Sequence, residues 1–379
     1  MLEIPHAAIL SRETGLVYSR LRPLLENSAL GQDTFMGLVL LLMFESEQAD
    51  SYWSPFLAMM PSDFDTPLFW SDEHLSIIEG TPLYSETVEL KRMLLRAHEK
   101  EIIALKPKFP DILTGVNFSL DKFLWAVSTV WNRAYWLDED DTLPGIVPMA
   151  DMMNHSGDKG LSLKAYGKAD YRFDATSQCF IVTSCYVYLP GDEVFTSYGH
   201  KDNDSLLADY GFILAKLSGS ADRFTISISD ATYRSIQTPV LEKLRLICDW
   251  LKLAGPNFDD ISHSKLKICP SNPLQLLALC RLLQMEPEQL DFFSERNAMD
   301  LMAEPPIQSA EAELAALREC LRLCLKQPLA STLQESLPWT PTGRAQLAHS
   351  YSQWYCQSLE TCSKKIQYWI DVLEHCVCS

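Results

Sequence analysis

The polar stretch DMMNHS, at residues 151–156, directly follows the apolar run LPGIVPMA. It combines a carboxylate, an amide and an imidazole at Asp151, Asn154 and His155. A polar group that is removed from water without a partner destabilises a fold by roughly 1 to 3 kcal/mol. A buried strand would avoid this composition, so we expect local partners or a bound ligand to satisfy these groups.

A second unusual stretch, GDEVFTSYGHKDNDSLLADYGF at residues 191–212, contains two Tyr-Gly pairs. Tyr198 precedes Gly199, and Tyr210 precedes Gly211. Glycine allows backbone conformations and close approaches that a side chain would obstruct. One pair would carry little weight, but two pairs that follow DMMNHS indicate a second part of the same site.

Arg133 lies in the segment SLDKFLWAVSTVWNRAYWL, residues 119–137, whose apolar spacing predicts a helix with Ser119 as its N-cap. The apolar stripe of this helix consists of Leu120, Phe123, Leu124, Val127, Trp131 and Ala134. At roughly 100° per residue, Arg133 falls about 130° from the centre of the stripe. Its side chain is therefore available to a ligand or to water.

The elements that must position these residues form three successive regions. Apolar spacing predicts helices within residues 34–60, 84–105 and 119–137. A compact β region follows at 143–212, with the runs IVPMA, CFIVTSCYVYL and EVFTSY and a turn at PGDE. MLEIP, at the start of the chain, is also predicted to be a strand.

After about residue 230 the helical spacing returns and continues to the end of the chain. One predicted helix is marked by Leu314, Leu317, Leu321 and Cys324. A long terminal helix, or a pair of helices, is marked by Trp354, Tyr355, Leu359, Ile366, Trp369, Ile370 and Leu373.

Composition excludes several classes of function. The 379 residues, 47% hydrophobic and 22% charged, can form two globular domains. A net charge of -18 without a Lys/Arg cluster argues against nucleic-acid binding. The acidity favours a basic partner, although solubility alone explains most of these charges. We expect no membrane span, because apolar runs fall short of the roughly 18 to 20 residues required.

The eleven cysteines contain no CxxC pair, which favours a reducing compartment. Cys376 and Cys378 resemble half of a zinc cluster, but without further ligands at suitable spacing we expect no metal. A nucleotide-fold methyltransferase is disfavoured because the sequence has no GxG. We expect a soluble intracellular monomer, with cytoplasm, nucleus and plastid left open.

The two polar stretches together resemble the core of the SET-domain protein methyltransferases. The resemblance is greatest to the subgroup of the Rubisco large-subunit lysine methyltransferase and the actin-histidine methyltransferase. DTPLFWSDEH, at residues 65–74, is similar to the helical insertion of that subgroup, and the helical tail to its C-terminal substrate-binding domain. The resemblance implies an α+β fold: a SET-domain β-clip core with a helical insertion, followed by an all-α C-terminal domain.

The implied SET domain covers residues 1–220, with its insertion at about 27–128, and the all-α domain covers 221–379. In this family a glycine-rich stretch that precedes the first core strand forms part of the cofactor cradle. MLEIP matches the strand after it, so we expect an N-terminally incomplete SET domain with weakened cofactor binding.

The resemblance implies S-adenosyl-L-methionine as cofactor, with contacts from Arg133, Asn154 and His155. The forked guanidinium of Arg133 suits the carboxylate of the cofactor, although a solvated helix face would also explain this arginine. Phe212 matches an aromatic beside the adenine, and a role in the core is equally compatible.

Asp151, Tyr198 and Tyr210 match positions that line the channel for the acceptor side chain. Tyr166 is placed at the outer end of that channel, or else at a strand edge. Deprotonating a lysine at pH 7 requires about 4.6 kcal/mol, and a nearby sulfonium lowers that requirement. What remains is alignment of the nitrogen, the methyl carbon and the sulfur, and we assign this catalytic role to Tyr198.

Two functions are therefore compatible with the sequence. The first is protein methylation, of lysine or alternatively of histidine. The second is a binding module with weak or no catalysis, in which the acidic helical tail docks a basic protein.

Overall fold

The computed structural model describes residues 2–138, 140–155, 170–174, 176–184, 188–199, 201–214, 223–227, 265–284, 309–327 and 343–378. The chain divides into two compact units. Unit 1 comprises Met1–Phe69, Val88–Gly199 and Asp209–Gly211. Unit 2 comprises Trp70–Thr87, His200–Ala208 and Phe212–Ser379.

The described α-helices are α1 Arg12–Tyr18, α2 Arg22–Asn27, α3 Ala29–Gln32, α4 Thr34–Glu45, α5 Ser54–Leu57, α6 Asp72–Ser76, α7 Pro82–Ala97, α8 Pro110–Leu113, α9 Leu120–Arg133, α10 Asn203–Tyr210, α11 Leu274–Leu283, α12 Ala310–Leu325 and α13 Gly343–Cys378. Short helical turns lie at His6–Ala8, Pro67–Phe69, His98–Ile102, Ile103–Leu105 and Ala150–Met152. The described strands are β1 Leu2–Pro5, β2 Leu10–Ser11, β3 Ala134–Trp136, β4 Pro144–Ile146, β5 Asn154–His155, β6 Asp170–Asp174, β7 Cys179–Thr183, β8 Phe195–Thr196, β9 Phe224–Ser227 and β10 Lys265–Ile268.

The described residues of unit 1 form three small sheets. The first has the strand order β1-β7-β6 and is antiparallel, with Leu2 opposite Val182 and Pro5 opposite Cys179. This pairing confirms that MLEIP forms a strand. The second sheet has the antiparallel order β2-β4-β3, and the third is the parallel pair β5-β8. The predicted runs CFIVTSCYVYL and EVFTSY contain β7 and β8, whereas IVPMA contributes only Ile146 to β4.

Helix α4 forms the centre of the unit 1 core, because its residues Gly37 to Glu45 are all buried. The side chain of Asp33 caps its N-terminus by accepting a hydrogen bond from the Met36 amide. Buried residues of α9, among them Phe123 and Val130, belong to the same apolar core. The helix predicted within 34–60 is shorter than expected, since α4 ends at Glu45 and only Ser54–Leu57 is helical beyond it.

Helix α9 confirms the predicted cap, since the Ser119 hydroxyl accepts from the Lys122 amide at 3.2 Å. The predicted extent to residue 137 is wrong. The chain leaves the helix after Arg133, and Ala134–Trp136 pairs with Pro144–Ile146 as a strand. Arg133 therefore occupies the last helical position, beside the sheet.

Unit 2 is mainly helical, with a core formed by α11, α12 and α13. The terminal segment is one helix of 36 residues, Gly343–Cys378, rather than a pair. The expectation of an all-α C-terminal region is wrong for two segments, since β9 and β10 pair antiparallel, with Phe224 opposite Ile268. Their short alternating patterns, FTIS and KLKI, bury Phe224, Ile226 and Ile268 in the helical core.

Candidate active site

The two polar stretches meet through a parallel strand pair. Asn154 lies opposite Phe195, and His155 lies opposite Thr196, although the sequence separates them by about 40 residues. Parallel pairing brings the residues that follow each strand to the same edge. The chain therefore places His155 beside the first Tyr-Gly pair.

His155 and Tyr198 are joined by both backbone and ring contacts. The Tyr198 amide donates a hydrogen bond to Nδ1 of His155 at 3.1 Å. The two rings stack with their centroids 5.2 Å apart. Because Nδ1 accepts, the neutral imidazole carries its proton on Nε2. That N–H is thus fixed in orientation by the Tyr198 backbone.

Tyr198 also packs on Tyr210, the tyrosine of the second Tyr-Gly pair. The rings of Tyr198 and Tyr210 stack with their centroids 4.4 Å apart. The Tyr198 hydroxyl donates to the carbonyl of Met153 at 3.0 Å. Burial raises the pKa of Tyr198, and the nearby Arg133 only partly offsets this effect. Burial also raises the pKa of Tyr210, so both phenols are protonated at neutral pH.

Both glycines of the Tyr-Gly pairs adopt conformations that L side chains rarely adopt. The φ angle is 91° at Gly199 and 77° at Gly211. A Cβ atom at Gly211 would lie 2.9 Å from the Asp65 carbonyl carbon, whereas a Cβ at Gly199 would meet open space. Glycine at 211 thus satisfies both a conformational and a steric requirement.

Arg133 forms an ion pair with Asp151. Nη1 of Arg133 lies 2.9 Å from Oδ2 of Asp151 and 3.3 Å from its carbonyl oxygen. The Asp151 side chain is only 1% exposed, and burial raises its pKa despite the favourable charge of Arg133. Among the described residues, Nε of Arg133 and Oδ1 of Asp151 have no hydrogen-bond partner. The pair therefore leaves one buried donor and one buried acceptor unused.

Asn154 is exposed, and its amide nitrogen donates to Oε1 of Glu193 at 2.7 Å. Glu193 belongs to the PGDE turn that precedes β8. The turn was predicted from the sequence, but Glu193 was not selected as a site residue. Its position just before the second polar stretch was the signal that could have identified it.

The backbone is strained immediately before the Asp151 turn. Met149 has a φ angle of 67°, a conformation that favours glycine, and its side chain is 60% exposed. Such strain requires roughly 1 to 3 kcal/mol from the surrounding fold. The strained residue precedes the short helical turn that carries Asp151.

Two further tyrosines, Tyr135 and Tyr171, were not selected from the sequence. The Tyr135 hydroxyl donates to the carbonyl of Ala150 at 2.8 Å, and its ring lies 5.1 Å from that of Tyr171. Tyr198 contributes to the raised pKa of Tyr135, after the larger effect of burial. Tyr135 follows Arg133, the last residue of α9, by two residues. Its proximity to the Asp151 turn could therefore have been inferred from the sequence.

The described contacts of unit 1 do not include two further selected residues. Phe212 is half-buried and belongs to unit 2. Tyr166 lies outside the described residues. The structure therefore brings together Arg133, Asp151, Asn154, His155, Tyr198 and Tyr210 within unit 1.

Solved structures with the same fold are SET-domain proteins. A SET domain of LSMT bound to lysine and AdoHcy has a TM-score of 0.72 and 19% identity, covering 99% of this chain and 82% of that one. Rubisco LSMT bound to AdoMet has a TM-score of 0.70 and 20% identity, covering 99% and 83%. The fold is thus that of a SET-domain protein with a helical C-terminal region.

Curated relatives define the group more narrowly. The Rubisco large subunit N-methyltransferase of Pisum sativum is 30% identical over 237 residues, 59% of this chain and 44% of that protein. The N-lysine methyltransferase setd6 of Salmo salar is 29% identical over 272 residues, 66% and 57%. The actin-histidine N-methyltransferase of Gallus gallus is 26% identical over 288 residues, 73% and 43%.

No protein-family model matches the chain. The chain spans about half the length of the curated relatives it matches, between 43% and 57% of those three proteins. The relatives and the fold together support the resemblance to the SET-domain subgroup of the Rubisco large-subunit methyltransferase. Within the described residues, no helix combines the length and apolar character that a membrane span requires.

Proposed function

We propose that the chain is an S-adenosyl-L-methionine-dependent protein methyltransferase that acts on lysine. The observation that carries this proposal is the junction of β5 and β8, where Tyr198 contacts His155 and stacks on Tyr210. Two tyrosines and an oriented imidazole form a compact aromatic group. Two separate chain segments contribute these side chains. Such a group supports a channel for an elongated side chain.

The residues at this junction fit the cofactor. Arg133 retains a buried Nε donor without a partner in the described structure, although Nη1 is occupied by Asp151. A guanidinium in this state can donate to a second carboxylate, such as that of the methionine portion. Arg133, Asn154 and His155 would hold the cofactor, with Phe212 at the adenine. When bound, it supplies a methyl group on a positively charged sulfur.

Tyr198 positions the acceptor rather than deprotonating it. Its hydroxyl hydrogen is donated to the Met153 carbonyl, so its lone pairs remain available to accept from an amine. Because burial raises the pKa of Tyr198, the phenol keeps its proton at neutral pH. A neutral amine that donates to this oxygen directs its own lone pair elsewhere, as an in-line displacement requires. The proton lost by the ammonium leaves to water.

Asp151, Tyr210 and Tyr166 complete the proposed acceptor channel. Asp151 holds the guanidinium of Arg133, and Tyr210 forms a wall by stacking on Tyr198. Tyr166 is proposed for the outer end of the channel on the basis of the family resemblance. Because the Tyr210 phenol keeps its proton, it carries no negative charge that would stabilise the ammonium form of a lysine.

We also propose the domain roles implied by the resemblance. Residues 1–220 would form a SET domain with a β-clip core and a helical insertion at about 27–128, and residues 221–379 a substrate-binding domain. A net charge of -18 supports a protein substrate with a basic segment. The name of the salmon relative supports lysine as acceptor, and that of the chicken relative keeps histidine as the alternative.

The test combines cofactor binding with transfer. Calorimetry with S-adenosyl-L-homocysteine should show saturable binding to the full chain, and labelled S-adenosyl-L-methionine should label a protein substrate. Rubisco large subunit and actin, assayed separately, represent the two acceptor types. Acid hydrolysis of the product distinguishes methyl-lysine from methylhistidine. Absence of both binding and transfer would favour a binding module, and methylhistidine would replace lysine as the acceptor.

A further inference from the structure

Unit 2 contains a group of buried thiols where α12 packs against α13. The Sγ atoms of Cys324 and Cys362 lie 3.5 Å apart, although the residues are 38 positions apart in sequence. Cys320 lies one turn before Cys324 on α12, and a hydrogen bond joins it to Cys280. All four side chains lie in the apolar core of the unit.

We propose that Cys324 and Cys362 form a redox modification site, in which a peroxide oxidant converts the two thiols into a disulfide between α12 and α13. The distance supports this proposal, since the sulfurs already touch. Bond formation at about 2.05 Å requires them to approach by roughly 1.5 Å, a movement that side-chain rotation in adjacent helices can supply. This inference does not depend on the proposed methyltransferase activity.

Position distinguishes Cys324 from the other thiols of the group. It is the second-last residue of α12, and the next residue, Leu325, is 69% exposed. Helix ends fray more readily than helix centres, so a small oxidant reaches this sulfur first. Cys280 and Cys320 are also buried, but they lie farther from the ends of α11 and α12.

The hydrogen bond between the two thiols also makes them unequal. The contact between the two sulfurs lowers the pKa of Cys324 and raises that of Cys362, the pattern expected where Cys362 is the donor. The thiolate is the nucleophile in reactions with peroxide. Cys324 is therefore the attacking sulfur, and Cys362 is the thiol that resolves the intermediate.

The proposed oxidation to a disulfide proceeds in two steps. The Cys324 sulfur attacks one oxygen of hydrogen peroxide, so the O–O bond breaks, an S–O bond forms, and the thiol is oxidised to a sulfenic acid with release of one water. The Cys362 sulfur then attacks the Cys324 sulfur, forming the S–S bond and breaking the S–O bond, and releases a second water. Two thiols are oxidised, and one peroxide is reduced.

The cross-link would restrain the unfolded chain between α12 and α13. A disulfide stabilises a protein mainly by this restraint, provided that native geometry is kept. The oxidised protein should therefore unfold at a temperature several degrees higher than the reduced protein.

The experiment treats the full wild-type chain with hydrogen peroxide and alkylates the remaining thiols. Peptide mass spectrometry without reduction should identify a Cys324–Cys362 link, and dithiothreitol should reverse both the link and the rise in melting temperature. The variant Cys362→Ser should lose the rise, whereas Cys356→Ala, on the same helix, should keep it. Since the link is read in the wild-type chain, the result does not depend on variant folding.

Three outcomes would overturn the proposal. One is that both thiols remain fully alkylatable after treatment. Another is a link that joins Cys280 to Cys320 while Cys324 stays free. The third is oxidation of Cys324 to a sulfinic acid without any cross-link, which would show that Cys362 does not resolve the intermediate.

Discussion

The backbone amide of Tyr198 donates a hydrogen bond to Nδ1 of His155 at 3.1 Å, which joins two segments 43 residues apart. Tyr198 contributes only its backbone to this contact, and His155 contributes its imidazole. A tyrosine side chain can therefore change without breaking it. This separation allows the phenol hydroxyl of Tyr198 to be tested independently of the junction that places it.

Tyr198→Phe should remove the bond to the Met153 carbonyl while retaining the stack on Tyr210. We expect kcat to fall by about 100-fold, because the acceptor amine loses its positioning partner, with little change in S-adenosyl-L-homocysteine affinity. Steady-state kinetics and calorimetry check the two parts. Tyr52→Phe, on an exposed ring, is the control, and equal rates for the two variants would contradict the role of Tyr198.

The two glycines provide a matched pair of substitutions. Gly199→Ala should destabilise the chain by about 1 kcal/mol, because only the conformation at φ 91° is unfavourable. Gly211→Ala adds a contact at 2.9 Å with the Asp65 backbone, and we expect a loss larger by about 1 to 3 kcal/mol. Urea unfolding of both variants measures the difference. Equal losses would show that the Asp65 backbone yields to the methyl group.

Local features of the sequence were sufficient to predict part of this structure. Ser119 caps its helix through the Lys122 amide three residues further on, and the apolar pattern of MLEIP indicated a strand, although its pairing partner Cys179–Thr183 is distant in the sequence. The end of α9 was misplaced, because Ala134–Trp136 leaves the helical pattern only through pairing with Pro144–Ile146. Strand pairing is a tertiary interaction that overrides a continuing apolar period.

The site, like the fold, was predicted only in part from the sequence. The two polar stretches predicted a shared site, and β5 and β8 bring them together. The Arg133–Asp151 pair was not predicted, although both residues were selected, since helix periodicity gives a direction and no partner. The β9–β10 pair was also missed, because its partners lie about 40 residues apart in the sequence.

Arg133→Met should destabilise unit 1 by about 3 kcal/mol at neutral pH, because it leaves the buried Asp151 carboxylate without its cation. The double variant Arg133→Met with Asp151→Asn should recover part of this loss, since no buried charge remains. Urea unfolding of the single and double variants gives the coupling free energy. A coupling near zero would mean that Asp151 takes up a proton or another partner, contrary to this expectation.

A buried carboxylate in unit 2 should make stability depend on pH. Oδ2 of Asp204 accepts from the amide and hydroxyl of Thr225, at 3.0 and 2.6 Å, and Oδ1 accepts from the Tyr351 hydroxyl at 2.6 Å. Burial, followed by the charge of Asp202, raises the pKa of Asp204 to about 7 despite these donors. Lys267, which pairs with Asp202, partly opposes this rise.

The direction in which stability changes with pH follows from the number of protons bound in the folded and unfolded chains. Between about pH 4 and pH 7 the folded chain retains a proton on Asp204 that the unfolded chain has released. Stability contributed by this group is therefore highest below pH 4 and falls as pH rises, with a slope of up to about 1.4 kcal/mol per pH unit, until it levels above pH 7. Asp204→Asn should be less stable than wild type at low pH, because its amide faces the donors of Thr225, but it should lack this slope.

Urea unfolding between pH 4.5 and 8 checks the expectation as the difference between wild type and Asp204→Asn, since other carboxyl groups then cancel. Asp371→Asn, an exposed position on α13, is the control and should track the wild type throughout. If the Asp204→Asn difference stays constant across this pH range, the carboxylate is already charged in the folded chain at pH 4.5. In that case the donors of Thr225 and Tyr351 outweigh burial.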